Sequence, residues 1–161
     1  MTAKIIDGKA IAKEIRSDLK LKVAQLTKEG RQPGLAVVLV GDDPASAVYV
    51  RSKKRACEEI GVNSLVHRLP EDTTQDELLG LVEQLNQDPH IHGILVQLPL
   101  PKGLDEEIVI NAISPQKDVD GFHPINVGNL HIGQEGFVPC TPAGVVELVK
   151  RTGVPIVGQN V

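Results

Sequence analysis

Apolar residues along the first third of the chain follow two different spacings. Residues 9–29 carry them at helical intervals, and Gly30 provides a stop. Residues 34–41 form a continuous apolar run between glycines, which is typical of a strand buried on both faces. A second helical pattern covers residues 45–60 and ends at Gly61. The pattern predicts a helix, a buried strand and another helix in succession.

The same alternation continues through the middle of the chain. Residues 62–69 predict a second, more polar strand. Thr74 and Glu77 have capping-box spacing and precede a helix rich in leucine. Residues 93–98 predict a third strand, and residues 105–113 predict a short helix. Strands that alternate with helices indicate an α/β fold, here a three-layer domain with a mostly parallel sheet covered by helices on both faces.

The pattern changes after Pro115. Residues 116–141 are rich in Gly, Pro, Asn and His, and we expect an ordered loop or a short hairpin there. A cap residue followed by proline then predicts a helix over residues 142–151. Residues 154–161 are typical of the entry into another strand.

Composition limits the class of protein. The chain has 161 residues, 41% of them hydrophobic, which is enough for one domain with a real core. A net charge of −4 argues against nucleic-acid binding, and no apolar run approaches membrane-spanning length. Cys57 and Cys140 lack the spacing of a disulfide framework or a metal motif, so we expect reduced thiols. These features are typical of a soluble cytoplasmic protein.

The helix over residues 45–60 contains the only tyrosine of the chain, Tyr49, one turn before Lys53. At roughly 100° per residue, Lys53, Ala56 and Ile60 fall within about 40° of Tyr49. The far side holds the remaining charges, at Arg51, Lys54, Arg55, Glu58 and Glu59. Lys54 and Arg55 each have a glutamate one turn later, as expected of a solvated face. Lys53 is therefore the one charge that should face the protein.

Two interpretations of Lys53 remain open at this point. Its stem can lie along apolar surface while the ammonium reaches water, which is common. Alternatively, desolvation disfavours the ammonium, so that the neutral amine is available as a base. Spacing alone favours the first interpretation. Tyr49 adds little by itself, because a buried tyrosine usually belongs to a core.

The predicted sheet brings several polar residues to one edge. Ligands of open parallel sheets bind at the carboxyl ends of the strands. The first strand delivers residues 41–46 to that edge, and helical side chains lean toward the helix N-terminus, so Tyr49 and Lys53 point the same way. The third strand delivers Gln97, whose amide needs either a ligand or a loop group as its partner.

Metal ligands are not expected. Asp118 and Asp120 stand at alternate positions, but the calcium-loop pattern fails because a third oxygen ligand and a correctly placed glycine are missing. His90 and His92 have no obvious third ligand, so we interpret them as surface or turn residues.

Four ordered motifs resemble those of one known family. They are Tyr49-x-x-x-Lys53, Gly-Ile-Leu-Val-Gln-Leu-Pro-Leu-Pro over 93–101, Pro-x-Lys-Asp-Val-Asp-Gly-Phe over 115–122, and Pro-Cys-Thr-Pro over 139–142. Together they resemble the bifunctional methylenetetrahydrofolate dehydrogenase/methenyltetrahydrofolate cyclohydrolases, and the resemblance covers essentially the whole chain.

The resemblance implies a reaction and roles for named residues. Members oxidise 5,10-methylenetetrahydrofolate by hydride transfer to a nicotinamide, usually NADP, and hydrolyse the product to 10-formyltetrahydrofolate. It implies that Lys53 is the central acid/base, that Tyr49 and Gln97 position it and the folate, and that Asp120 holds the pterin. The remaining implied contacts are Val96, Leu98 and Pro99 in the substrate cleft, and Cys140 and Thr141 near the nicotinamide cofactor.

The chain departs from that family in one respect. Members also carry a second, Rossmann-type domain and are expected to form homodimers, but no glycine-rich dinucleotide loop occurs here. We therefore expect residues 1–139 to form the folate-binding catalytic domain, and residues 140–161 to form a linker helix and the start of the missing domain. A folate-binding or regulatory module without redox activity is the alternative. A short-chain dehydrogenase also contains Tyr-x-x-x-Lys, but that fold would open with a strand and a glycine-rich loop. This chain opens with a predicted helix, so we discount that class.

Overall fold

The computed structural model describes residues 5–158 of the chain. Its helices and strands are α1 (Gly8–Lys28), β1 (Gly34–Val40), α2 (Pro44–Ile60), β2 (Asn63–Leu69), α3 (Gln75–Gln87), β3 (Gly93–Val96), α4 (Glu106–Ala112), α5 (Pro124–Ile132) and α6 (Cys140–Arg151). The strands form a parallel sheet in the order β2-β1-β3. No helix within these residues is both long and apolar enough to cross a membrane.

The central strand β1 supplies both cores of the domain. Its side chains alternate, so one set packs with α3 and α4 and the other packs with α2. The first set is Ala36, Val38 and Val40, and the second is Val37 and Leu39. The predicted α/β fold with helices on both faces of a parallel sheet is confirmed.

Two further helices pack outside this sheet. Asp7 caps α1 by accepting hydrogen bonds from Lys9 N and Ala10 N at 3.0 Å. α1 then lies against α2, with an ion pair of 3.1 Å between Arg16 Nε and Glu59 Oε2. α6 is tied to α1 by Arg151, whose Nη1 lies 2.8 Å from Glu14 Oε2.

The capping box at the start of α3 forms as predicted. Thr74 Oγ1 accepts a hydrogen bond from Glu77 N at 3.3 Å, and Glu77 Oε2 accepts one from Thr74 N at 2.8 Å. Leu78, Val82 and Leu85 then bury the apolar stripe of the helix against the sheet.

The loop or hairpin predicted for residues 116–141 is wrong over its middle, where α5 forms. Pro124 occupies the first turn, His123 Nδ1 accepts from Ile125 N at 3.1 Å, and Gly133 ends the helix at a φ of 74°. The apolar side chains of α5 are largely exposed, and its buried residue is Asn126. The helix therefore buries no apolar stripe, and its cap residues are the only sequence signal for it.

Three elements differ from the sequence prediction by two residues or more. β3 stops at Val96 rather than at residue 98, because Pro99 has no N–H to continue the ladder; the Leu98–Pro99 peptide bond is cis. α6 begins at Cys140, two residues earlier than expected. Of the strand expected over 154–161, residues 154–158 form coil and a turn, and the rest lies outside the described residues.

A short segment after α4 runs beside β3. Ile94 N donates to Lys117 O at 2.7 Å, and Ile94 and Asp118 form a parallel bridge. Gly93 lies so close that a Cβ placed on it would be 2.5 Å from Val119 Cγ1. Only glycine leaves room for this approach.

Lys117 attaches the same segment to the end of α3. Its Nζ donates to the main-chain oxygens of Leu85, Asn86 and Asp88 at 3.1, 2.7 and 2.8 Å. An ammonium group at this position donates to carbonyls at the C-terminal end of the helix and also interacts favourably with the helix dipole.

Gly93→Ala tests the close packing of this segment. We expect the added methyl to push Val119 away and lower the free energy of unfolding by about 1–3 kcal/mol. Gly80→Ala, at an open position in α3, is the matched control and should raise it by about 0.5–1 kcal/mol. Urea unfolding followed by circular dichroism measures both, and equal midpoints for Gly93→Ala and the parent would contradict the packing.

Candidate functional site

A cleft of about 590 Å³, within the usual range for small-molecule sites, opens where α2, the end of β3 and the start of α6 meet. Its lining is mostly apolar and contains three strongly polar side chains, those of Lys53, Gln97 and Asp120. The other lining residues are Leu35, Tyr49, Ala56, Cys57, Leu95, Val119, Cys140 and Thr141. The cleft therefore combines an apolar wall with a small cluster of groups able to exchange protons or hydrogen bonds.

Lys53 points into this cleft from α2. Its side chain is half-buried, and its Nζ donates to Gln97 Oε1 at 3.1 Å. Gln97 Nε2 donates in turn to Leu98 O at 2.7 Å, which turns the amide oxygen toward the lysine. Gln97 thus has a loop partner, one of the two alternatives left open by the sequence, and it also holds the ammonium.

The predicted division of the charges on α2 holds. Arg51, Lys54, Arg55, Glu58 and Glu59 are all exposed. Lys54 pairs with Glu58 one turn later at 3.8 Å, whereas Glu59 pairs with α1 rather than with Arg55.

Tyr49 lies farther out than the sequence suggested. Ser46 and Val50 are the buried residues of α2, and Tyr49 is 63% exposed at the rim of the cleft. The inward face is rotated toward Val50, about 100° from Tyr49 along the helix. A tyrosine at the rim can contact a bound molecule without being part of the core.

Asp120 enters the cleft from the segment beside β3. Burial raises the pKa of its carboxyl group, the charge of Lys53 lowers it, and the charge of Asp118 raises it further. The net pKa lies above the ordinary aspartate value. Proton binding at Asp120 is therefore easier than at an exposed aspartate.

Gly121 allows α6 to begin next to Asp120. Its φ is 67°, and an added Cβ would lie 2.9 Å from Phe137 O and from Pro139 N. The crossing chain leads directly to Cys140, whose Sγ lies 3.6 Å from Val119 O. The sequence pattern assigned no role to Gly121, although a glycine directly after Asp120 is a visible signal for a positive φ.

Both cysteines are free and line the cleft. Burial raises the pKa of the Cys140 thiol, and the nearby Asp120 raises it further against the opposing charge of Lys53. Burial also raises the pKa of Cys57, partly offset by a hydrogen bond with Ser64. Neither thiol is in a setting that favours the thiolate.

Three expected substrate contacts lie elsewhere. Val96 packs into the core with α3 and α4, on the opposite face of β3, and Leu95 lines the cleft in its place. Leu98 is half-buried but does not line the cleft, and Pro99 borders a separate cavity of about 300 Å³ beyond β1, itself a size suited to small ligands. Alternation along a strand explains the difference, because Gln97 and Leu95 share a face that Val96 does not.

Within residues 5–158, no group of three histidine, cysteine, aspartate or glutamate side chains is arranged to bind a metal ion. His92 Nδ1 accepts a hydrogen bond from Gly34 N at 3.1 Å, and His90 is exposed in a turn.

The sequence of residues 6–120 matches the family model for the tetrahydrofolate dehydrogenase/cyclohydrolase catalytic domain. The chain belongs to this family. Tyr49, Lys53, Gln97 and Asp120 lie inside the matched segment, and Cys140 and Thr141 lie beyond it.

Curated relatives in the tetrahydrofolate dehydrogenase/cyclohydrolase family are longer than this chain. The bifunctional protein FolD of Listeria innocua is 60% identical over 156 residues, which cover 97% of this chain and 55% of that protein. FolD of Moorella thermoacetica is 60% identical over 160 residues, covering 99% and 57%. The chain thus spans about half the length of the curated relatives it matches.

Solved structures of the family have the same fold. FolD from Campylobacter jejuni superposes with a TM-score of 0.91 at 52% identity, over 93% of this chain and 54% of that one. The Trypanosoma brucei enzyme, solved with NADP cofactor and an inhibitor, gives 0.94 at 40% identity over 99% and 55%.

Asp120→Asn tests the electrostatics of the cleft. A raised pKa means that the folded state binds the Asp120 proton more tightly than the unfolded chain, so this stability is lost as pH rises through the folded-state pKa. The neutral amide avoids that loss. We expect Asp120→Asn to be more stable than the parent at neutral pH, by a margin that shrinks toward about pH 3, below the ordinary aspartate range.

Urea unfolding at a series of pH values measures this margin, with Asp72→Asn at an exposed turn as the control. A margin for Asp120→Asn that grows as pH falls would contradict the raised pKa.

Proposed function

We propose that this chain is the folate-binding catalytic part of a bifunctional methylenetetrahydrofolate dehydrogenase/methenyltetrahydrofolate cyclohydrolase. The observation that carries the proposal is the convergence of Lys53, Gln97 and Asp120 in one cleft of a chain from this family. Its reactions oxidise 5,10-methylenetetrahydrofolate and hydrolyse the 5,10-methenyl product to 10-formyltetrahydrofolate.

The cleft suits a reduced folate. Its apolar residues, among them Leu35, Leu95 and Val119, offer surface to a flat heterocycle. The Asp120 carboxylate is an acceptor for the N–H groups of an aminopyrimidine edge, an arrangement that gives charge-assisted hydrogen bonds. Tyr49 at the rim supplies an aromatic side with a polar tip.

Lys53 is the proposed acid/base for hydrolysis. Water adds to the cationic methenyl carbon, and a base that accepts the water proton lowers the barrier. A neighbouring cation disfavours the ammonium form of a lysine, so binding of the methenyl compound itself promotes the neutral amine. Gln97 Oε1, 3.1 Å from Nζ, keeps the lysine oriented through both protonation states. The same lysine then returns the proton as the ring opens.

We also propose that NADP is the hydride acceptor of the oxidation. NADP supplies the redox chemistry when bound. Lys53, Gln97 and Asp120, which line the folate cleft, orient the methylene group of the substrate toward the nicotinamide. The described residues suit only one edge of such a cofactor, at Cys140 and Thr141 in the first turn of α6. No glycine-rich loop follows β1, β2 or β3. The NADP in the Trypanosoma brucei relative supports this choice of cofactor.

The proposed division of the chain follows from these points. Residues 1–139 form the catalytic domain, and residues 140–161 lead from it into a nucleotide-binding domain. The greater length of the relatives supports this division. We propose a homodimer, cytoplasmic in location, for the full-length protein on the basis of family resemblance, and light scattering of that protein tests the assembly.

A folate-binding module without redox activity is the second candidate. The observation behind it is that Lys53, Gln97, Asp120 and the other residues that line the cleft all lie within this chain. The two candidates agree on the folate cleft and differ in whether the bound compound is turned over.

Lys53→Ala, with Lys54→Ala as the matched control, tests the acid/base role in a full-length version with the relatives' second domain. We expect Lys53→Ala to slow hydrolysis of 5,10-methenyltetrahydrofolate by about 10²–10⁴-fold, the usual contribution of a positioned base. Lys54 is exposed on the same helix and should change the rate by less than about twofold. Loss of absorbance of the methenyl compound measures both, and ordinary hydrolysis by Lys53→Ala would remove the lysine from the mechanism.

The 161-residue chain by itself separates the two activities. We expect at most weak cyclohydrolase activity and no NADP-dependent oxidation, because the chain lacks a phosphate-binding loop. Absorbance of NADPH measures the oxidation, with the complete Trypanosoma brucei methylenetetrahydrofolate dehydrogenase-cyclohydrolase as the positive control. Robust formation of NADPH by the purified chain would refute the two-domain division.

A further inference from the structure

Asp118 is a buried carboxylate that no role described so far uses. It is 2% exposed, and its Oδ2 accepts two hydrogen bonds of 2.9 Å, from His123 N and from Asn126 Nδ2. No lysine, arginine or histidine within residues 5–158 forms an ion pair with it. Burial of an unpaired charge is costly, so its partners need to compensate.

The start of α5 provides that compensation. His123 is the N-cap of α5, and its N–H belongs to the end of the helix that carries partial positive charge. Asn126, itself buried, also donates from Nδ2 to Pro115 O at 2.9 Å, so its amide is fixed on two sides. The carboxylate therefore fastens α5 to the segment that runs beside β3.

The hydrogen bonds of Asp118 enclose Asp120 on both sides of the backbone. The main-chain oxygen of Asp118 accepts from Gly121 N at 3.2 Å, and its side chain accepts from His123 N two residues later. The bridge to Ile94 holds Asp118 itself on β3. The backbone that carries Asp120 is thus closed within two nested turns that share one residue.

We propose that Asp118 is a positioning residue for Asp120. It holds the turn over residues 119–122 so that the Asp120 carboxylate stays in the cleft with Lys53, in the orientation that binds the pterin edge. This proposal rests on the proposed folate function of the same cleft. It predicts that the acceptor oxygen of residue 118 matters for folate binding although that residue does not line the cleft.

Two variants separate the parts of this role. Asp118→Asn keeps an acceptor oxygen of the same shape, whereas Asp118→Ala removes it. Asp105→Ala is the matched control, because Asp105 also caps a helix through its side chain, at 3.1 Å from Ile108 N, on the far side of the sheet. Each variant is made in the 161-residue chain, and its urea midpoint reports any general loss of stability.

Calorimetry with tetrahydrofolate is the first measurement. We expect Asp118→Ala to weaken binding about tenfold or more, because the donors that framed the turn lose their acceptor. Asp118→Asn should stay within about threefold of the parent, because the acceptor remains. Asp105→Ala should lose stability without losing affinity. Parent-like affinity in Asp118→Ala would mean a purely structural cap and would overturn the proposal.

Carbon NMR of the Asp120 carboxyl group in the ligand-free chain is the second measurement. The groups facing it are Lys53 from α2, Cys140 from α6 and Asp118. We expect the pKa of Asp120 to fall in Asp118→Asn, because a neighbouring negative charge is lost, and to fall further toward the ordinary aspartate value in Asp118→Ala, because the released turn also exposes the carboxyl group to water. Asp105→Ala should leave it unchanged. If the parent binds no tetrahydrofolate, the proposed function fails, and this titration alone decides the positioning role. The same Asp120 pKa in Asp118→Asn and Asp118→Ala would then overturn it, because loss of the charge alone would account for both.

Discussion

The close approach of the segment 117–119 to β3 is the constraint on which the site depends. Gly93 permits it because any side chain there would meet Val119, and the hydrogen bond from Ile94 N to Lys117 O fixes the register. This approach sets the position of the residues that follow. Asp120 enters the cleft two residues after the bridge at Asp118, and Gly121 lets the chain pass close to residues 137–139. One missing side chain on β3 thus decides where the acidic side of the cleft lies.

The electrostatics of the cleft follow from that placement. Lys53 interacts electrostatically with one half-buried carboxyl group, Asp120, and the Asp118 side chain is buried in the interior. Desolvation and Asp118 raise the pKa of Asp120, while the lysine opposes them. A neutral amide, Gln97, rather than a carboxylate contacts the ammonium directly. A carboxyl group whose pKa is perturbed by burial and by charged neighbours in a cleft is typical of functional sites.

The pairing of charges along α2 correctly predicted that Lys53 faces the protein. The helical angle alone predicted the position of Tyr49 poorly. Lys54 and Arg55 have glutamates one turn later, so elimination left Lys53 as the inward cation, and the structure places it in the cleft. Helical spacing correctly placed Tyr49 and Lys53 on the same side of α2. It could not show which side of the helix is buried, because that depends on how α2 packs against the sheet. Val96 shows the same limit on a strand, because alternation separates two faces without saying which one meets a ligand. α5 escaped prediction because it buries an asparagine instead of an apolar stripe.

The sequence by itself determined the parallel α/β fold and the family. Continuous apolar runs between glycines are typical of strands covered on both faces, and capping residues mark most helix ends, which are local properties of the chain. Only the tertiary structure decided the site. The meeting of Lys53 with Gln97, the entry of Asp120 and the anchoring of α5 by Asp118 join residues from separate elements. Such contacts depend on the close approach of Val119 to Gly93 and of residues 137–139 to Gly121. The spacing of residues along the chain does not predict these approaches.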